Sequence, residues 1–159
     1  MLILQPEPIP TMLQKENVRT KLNNIDTWNK IRLYVFNYFS GKCCICNTIV
    51  SFHGDNVFHC HELWEYEMID ETNLCGIQRL KGFQCLCELC HSVKHIGFIE
   101  KQHPDRYMNS LNHMMRVNNI NMTKAINVIS KTKNGSRNLV HWIQNTDILD
   151  GLKQIIDGG

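Results

Sequence analysis

Apolar residues recur at helical spacing in several parts of the chain. Trp28, Ile31, Val35 and Phe39 form one stripe, which predicts a helix with one face on a core. Asp26 stands where an N-cap belongs, so this helix is expected to begin at Thr27 and to end at Ser40-Gly41. Pro104 suits the first turn of a second helix reaching about Val117, with Tyr107, Leu111, Met114 and Met115 on its apolar side. Thr123 to Lys131 reads as a third, through Ala125, Ile126 and Ile129, broken at Asn134-Gly135. A shorter helix is expected from about Leu89 to Ile96, stopped by Gly97.

Alternation takes over between the first two of these helices. Thr48 to Phe52 alternates and is β-branched, His53-Gly54-Asp55-Asn56 has turn composition, and Val57 to His61 reads as the returning strand. The predicted hairpin ends on His61-Glu62. Leu63 to Gln78 reads as irregular, with Trp64, Tyr66, Met68, Leu74 and Ile77 as packing residues, and Arg79 to Gln84 as a short extended lead. Residues 1 to about 16 are spaced by prolines and read as an extended arm. Leu139 to Ile143 and Ile148 to Ile156 close the chain as a short helix or as extended pieces. The expected fold class is small α+β. It divides into an N-terminal arm (1–25), a helix plus a hairpin-and-helix core (26–100) and a C-terminal helical extension (101–159).

Composition narrows the setting. A length of 159 residues suits one domain or a small core with helical extensions. The net charge of +2 permits nucleic-acid binding without demanding it. The opening MLILQPEPIP is apolar only briefly before its prolines, so no signal peptide and no membrane span are expected. The eight cysteines would suggest disulfides in a secreted chain. Four of them instead form two C-x-x-C pairs followed by histidines, which argues for metal in a reducing, cytoplasmic compartment.

The pairs are Cys43-x-x-Cys46 and Cys87-x-x-Cys90. A structural Zn²⁺ takes four such ligands in a tetrahedron, and a two-residue gap lets both sulfurs of a knuckle reach one ion. A core this small needs such a staple. His91 and His95, four apart on the predicted helix, project from one face. With His61 from the strand they would surround a second divalent ion (Mg²⁺, Mn²⁺, Ni²⁺ or Zn²⁺) that could stabilise charge on a scissile phosphate. The plainer reading of each histidine is a buried packing contact near the zinc. Cys60, Cys75 and Cys85 read as buried thiols, Cys44 as a free one, and His59 as a surface residue beside the site. Trp64 and Tyr66 fit packing better than base stacking.

The runs CCIC, FHCHELWEY and CLCELCHSVKHIG, over roughly Lys42 to Gly97, resemble the HNH endonucleases of the ββα-metal type. A weaker likeness on both sides, in NVRTKLNNIDTWNKIR and in the HIG…RVNN…W stretch, is similar to a widespread group of bacterial and phage HNH proteins. The resemblance implies a β-hairpin packed on a metal-binding helix and metal-dependent cleavage of DNA phosphodiesters. Cytoplasm, that of a host for a phage-borne chain, is the implied location.

In that family the strand carries a metal ligand followed by the histidine base. Aligned so, His61 matches the ligand and Glu62 takes the place of the base. Shifted by one, Cys60 is the ligand and His61 the base. Asn73 lies in the loop where the family's central asparagine belongs. Arg79, Lys81 and Lys94, with Arg19, Lys21 and Lys101, fall on the implied DNA-facing side, against a default of scattered surface charge.

Three functions follow as expectations. One is a DNA endonuclease or nickase using His61 and Glu62. Another is a catalytically silent zinc module, such as a phage accessory factor, that binds DNA or a protein partner through the C-terminal helices. The third is an oligomeric assembly through the methionine-rich helix at Leu111–Met115.

Overall fold

A computed structural model of the chain describes residues 2–8, 13, 17–70, 72, 75–134 and 141–157. Two helices come first, α1 (Val18–Leu22) and α2 (Ile25–Tyr38), followed by strands β1 (His59–Asp70) and β2 (Cys75–Leu86). Helices α3 (Glu88–Lys94), α4 (Ile96–Gln102), α5 (Pro104–Asn118) and α6 (Met122–Asn134) come next, then β3 (His141–Asn145) and α7 (Ile148–Asp157). The class is small α+β, as the patterning predicts. Of the two closing segments, the first is described only from His141, where it forms β3, with Leu139 and Val140 outside the described residues, and the second forms α7.

Helix α2 buries Trp28, Ile31 and Val35 of the predicted stripe, while Phe39, its fourth member, is the half-buried C-cap. Its cap is Asn24 rather than Asp26: the Asn24 side chain accepts from the N–H groups of Asp26 and Thr27 at 3.0 and 3.1 Å. Asp26 falls in the first turn, where a negative charge favours the helix dipole.

The hairpin lies downstream of its predicted position. Thr48 to Phe52 contributes only isolated bridges, Lys42 with Ile49 and Ser51 with Val57. The antiparallel pair is β1 with β2, from His59 opposite Leu86 to Asp70 opposite Cys75, with an irregularity at Leu63/Trp64. Most of the stretch read as irregular is therefore strand. Its glutamates are strand charges: Glu65 and Glu67 meet Lys81 and Arg79 across the pair, the cross-strand pairing that favours a sheet. β3 adds in parallel to β2, giving the order β1-β2-β3. Thr48 instead shapes the first knuckle, its carbonyl accepting from the Cys43 N–H at 2.9 Å.

The second knuckle opens α3, with Cys87 as its N-cap. Gly97 does not end a helix. α3 stops at Lys94, His95 caps both α3 and α4, and Gly97 lies in the first turn of α4. His95 still donates its N–H to the His91 carbonyl at 3.2 Å, so the two histidines keep their one-turn spacing. α5 starts at Pro104 as expected and buries Leu111 and Met114. In α6, Ala125 and Ile129 are buried while Ile126 is exposed.

The N-terminal residues are not merely an arm. Leu4, Leu13 and Val18 are buried, Leu4 and Val18 in the main core. The Ile3 and Leu4 N–H groups donate to Asn118 Oδ1 on α5 at 2.9 and 3.1 Å.

Candidate metal centres

The four knuckle cysteines converge. One sulfur from each of Cys43, Cys46, Cys87 and Cys90 lies within 4.8 Å of the others, so the set fits one tetrahedral ion and can hold zinc. Local backbone explains the convergence. Asn47 adopts a left-handed φ of 60° and donates its N–H to the Cys43 carbonyl, closing the first knuckle. Cys90 falls in the first turn of the helix that Cys87 caps.

Hydrogen bonds from Cys87 and Cys90 push the Cys43 thiol well down, while that same sulfur raises Cys87 to about 12 and Cys90 further. The Cys43 thiolate forms readily while Cys87 and Cys90 resist a growing negative charge, a conflict that a divalent cation removes. His113 on α5 adds support from outside. Its Nε2 is 3.1 Å from Cys90 Sγ, and Arg116 Nη2 is 3.0 Å from its Nδ1. Arginine only donates, so Nδ1 accepts and Nε2 carries the proton toward sulfur. His113 carried no signal in its local sequence.

The second cluster unites strand and helix. His61 from β1 meets His91 of α3 and His95 at the C-cap of that helix, with ligand-capable nitrogens all within 4.8 Å of one another. His61 is 4% exposed, and ring centroids lie 5.5 Å from His91 and 5.1 Å from His95. The trio can hold a second metal. Cys60 is not in this group, and His59 stacks on His91 at 4.4 Å rather than standing free at the surface. A cavity of about 240 Å³ opens on the trio, with Glu62, Trp64, Tyr66 and Gln78 among its lining residues.

Burial, joined by the neighbouring imidazoles, holds His91 down at about 2 and His95 at about 4. Both are therefore neutral donors at physiological pH. An imidazole depressed on folding binds its proton more readily in the unfolded chain, so its contribution to stability is present above about 6.5 and is lost as pH falls. Thermal midpoints of zinc-loaded protein are expected to drop from pH 6.5 toward 4. The drop should be shallower in the double variant His91→Asn, His95→Asn. Equal slopes in the two proteins would refute this account.

A carboxylate absent from every motif completes the surroundings. Glu7 Oε2 lies 2.8 Å from His61 Nε2, and its Oε1 lies 2.7 Å from Lys94 Nζ. Burial alone would raise this carboxyl, but the hydrogen bonds and charges of His61 and then Lys94 bring it down to about 2. Lys94 was expected to face DNA. It is instead 8% exposed, with its ammonium on Glu7, and is not available to a phosphate.

The other predicted residues divide. Glu62 reaches the cavity wall, but its Oε1 accepts from the Val18 N–H and its Oε2 from Trp64 Nε1, each at 2.9 Å. Burial raises its pKa against those two bonds. Arg79 is half-buried and Lys81 exposed, both paired with strand glutamates; Arg19, Lys21 and Lys101 are exposed. Arg32, unremarked in the sequence, lies with its guanidinium over Phe52 and Phe58. Cys85 is fully buried, and Cys44, Cys60 and Cys75 are half-buried free thiols. Asn73 and Leu74 lie outside the described residues.

No described helix is long and apolar enough to cross a membrane. Comparison with protein-family models, with curated proteins and with solved structures gives no match.

Proposed function

We propose that the chain is a metal-dependent DNA endonuclease or nickase whose core, β1, β2 and α3, is of the HNH ββα-metal type. Cys43, Cys46, Cys87 and Cys90 would hold its structural Zn²⁺. The observation that carries this reading is the meeting of His61 with His91 and His95 at a cavity beside the cysteine cluster. Three imidazoles suit Zn²⁺, Ni²⁺ or another divalent transition metal better than Mg²⁺. Stabilisation of charge on a phosphodiester oxygen is the chemistry such an ion supplies when bound.

The chain's own residues would do the rest. His61, His91 and His95 donate to the ion, and burial keeps the two helix imidazoles unprotonated for it. Glu62 takes the proton of the attacking water. Burial raises its pKa toward the range useful to a general base, and each carboxylate oxygen has a second lone pair beyond the bond it already accepts. A second cavity of about 400 Å³ shares Cys60, Glu62 and His91 with the first and is bordered by Arg19 and Arg32. A DNA backbone crossing there would meet two guanidiniums, which position phosphates without reading sequence.

The test is nicking of supercoiled plasmid by zinc-loaded protein supplied with Mn²⁺, Ni²⁺, Zn²⁺ or Mg²⁺. Glu62→Gln is expected to lower the rate by about 10²- to 10⁴-fold, the usual share of a general base. An unchanged rate would remove Glu62 from the mechanism.

The engagement of both Glu62 oxygens by Val18 and Trp64 favours a second reading, a catalytically silent zinc module that binds DNA or a protein through α5 to α7. Protein that retards DNA in a gel but nicks it with none of the four ions would favour that reading.

A further inference from the structure

Glu7 lies 54 residues before His61 in the chain and touches both elements of the histidine centre. Its side chain meets His61 on β1 and Lys94 on α3, and its backbone N–H donates to the Lys94 carbonyl at 3.0 Å. The contact is anchored on its other side too. Leu4 is fully buried, and Asn118 binds the backbone of Ile3 and Leu4. Glu7 therefore arrives on a fixed segment.

An ionised carboxylate can only accept hydrogen bonds. A carboxylate 2.8 Å from His61 Nε2 thus accepts a hydrogen bond from an N–H at that nitrogen, which leaves Nδ1 with its lone pair. Lys94 occupies the other Glu7 oxygen at 2.7 Å, balances its charge and limits rotation of the carboxylate away from the ring. A carboxylate behind an imidazole is the arrangement that orients metal-ligating histidines and raises their basicity.

Resting on the reading of the three histidines as ion donors, we infer that Glu7 is a positioning residue of that centre. It holds His61 as the Nε2–H tautomer and so offers Nδ1 to a divalent cation. The first residues of the chain are by this account a working part of the site. Glu7 acts through His61 rather than as a fourth ligand, in keeping with the absence of its carboxylate oxygens from the group of ligand-capable atoms lying within 4.8 Å of one another.

Two measurements on the full chain, with its cysteine zinc in place, test this at pH 8. Two-bond ¹H–¹⁵N correlation spectra should show His61 of the wild type as the Nε2–H form, and that form should be lost in Glu7→Ala. Titration with Co²⁺ should then show the second site weakened by about 10- to 100-fold in Glu7→Ala, with one zinc per chain retained. Glu7→Gln, which still offers an acceptor, should fall between.

A wild-type His61 in the Nδ1–H form overturns the inference. So does an unchanged tautomer and Co²⁺ affinity in Glu7→Ala, and in both cases the histidine centre stands. A wild type that takes up no Co²⁺ beyond its zinc overturns the inference together with the reading beneath it. Should Glu7→Ala fail to fold, the wild-type spectrum and the Glu7→Gln titration decide.

Discussion

Cys90→Ser is expected to leave a chain that neither retains zinc nor unfolds cooperatively. The sulfur is fully buried, sits within the four-cysteine cluster and meets His113 of α5. It is thus the point where the first knuckle, α3 and α5 are joined. Structural zinc contributes apparent binding free energies of about 10–16 kcal/mol in small zinc domains. That matches or exceeds the whole stability of an ordinary domain, about 5–15 kcal/mol, so losing the ion should cost the fold. Metal content after gel filtration, far-UV circular dichroism and a thermal melt check this together. Cys44→Ser is the control. It lies between Cys43 and Cys46 in the chain yet outside the cluster, and the variant should keep both zinc and the transition. A Cys90→Ser protein with full zinc and a sharp melt would mean that the cysteines do not staple the core.

On the proposed endonuclease reading, His91→Ala should separate cleavage from folding. Bound metal should fall from two ions per chain to one, since the imidazole belongs to the histidine cluster and not to the cysteine cluster. Plasmid nicking should fall by roughly a thousandfold or more, the scale seen when a principal charge-stabilising group is removed from an active site. The thermal transition should survive, because the substitution leaves the four-cysteine cluster untouched. His95→Ala should behave alike, whereas His113→Ala should disturb zinc retention before any nicking. Undiminished cleavage by the His91 variant, at the wild-type metal count, would place the chemistry elsewhere on the molecule.

How much of this was legible depends on the range of the contact. The cysteine pairs were readable because a two-residue gap is a local geometric fact. The same holds for His91 and His95, whose spacing survives although α3 ends earlier than predicted and Gly97 lies inside the next helix. The hairpin was misplaced because β-branched content at Thr48–Phe52 outweighed a better signal further on. There Trp64, Tyr66 and Met68 alternate with glutamates whose partners stand on β2, but the irregularity at Leu63/Trp64 interrupts the period.

Charge misled at Lys94. A lysine in a basic, histidine-rich stretch reads as surface until the acid that neutralises it is known, and that acid is Glu7, 87 positions away. No period, cap or turn could have announced such a contact. Proline spacing described the backbone of residues 2–8 well enough and said nothing of Leu4 or Glu7.

One short helix serves both clusters. α3 carries Cys90 in its first turn and His91 directly after it, and its end is marked by His95. Its position is set from one side by sulfur and from the other by imidazole. Any ion that fixes this helix lowers the ordering cost for the other ion. By reciprocity the second ion strengthens the first by the same factor. Uptake of the two metals should therefore be cooperative, each centre strengthening the other. On the proposed reading this helix of seven residues acts as a folding checkpoint: a chain with no ion at its cysteine cluster would also lack an ordered histidine centre.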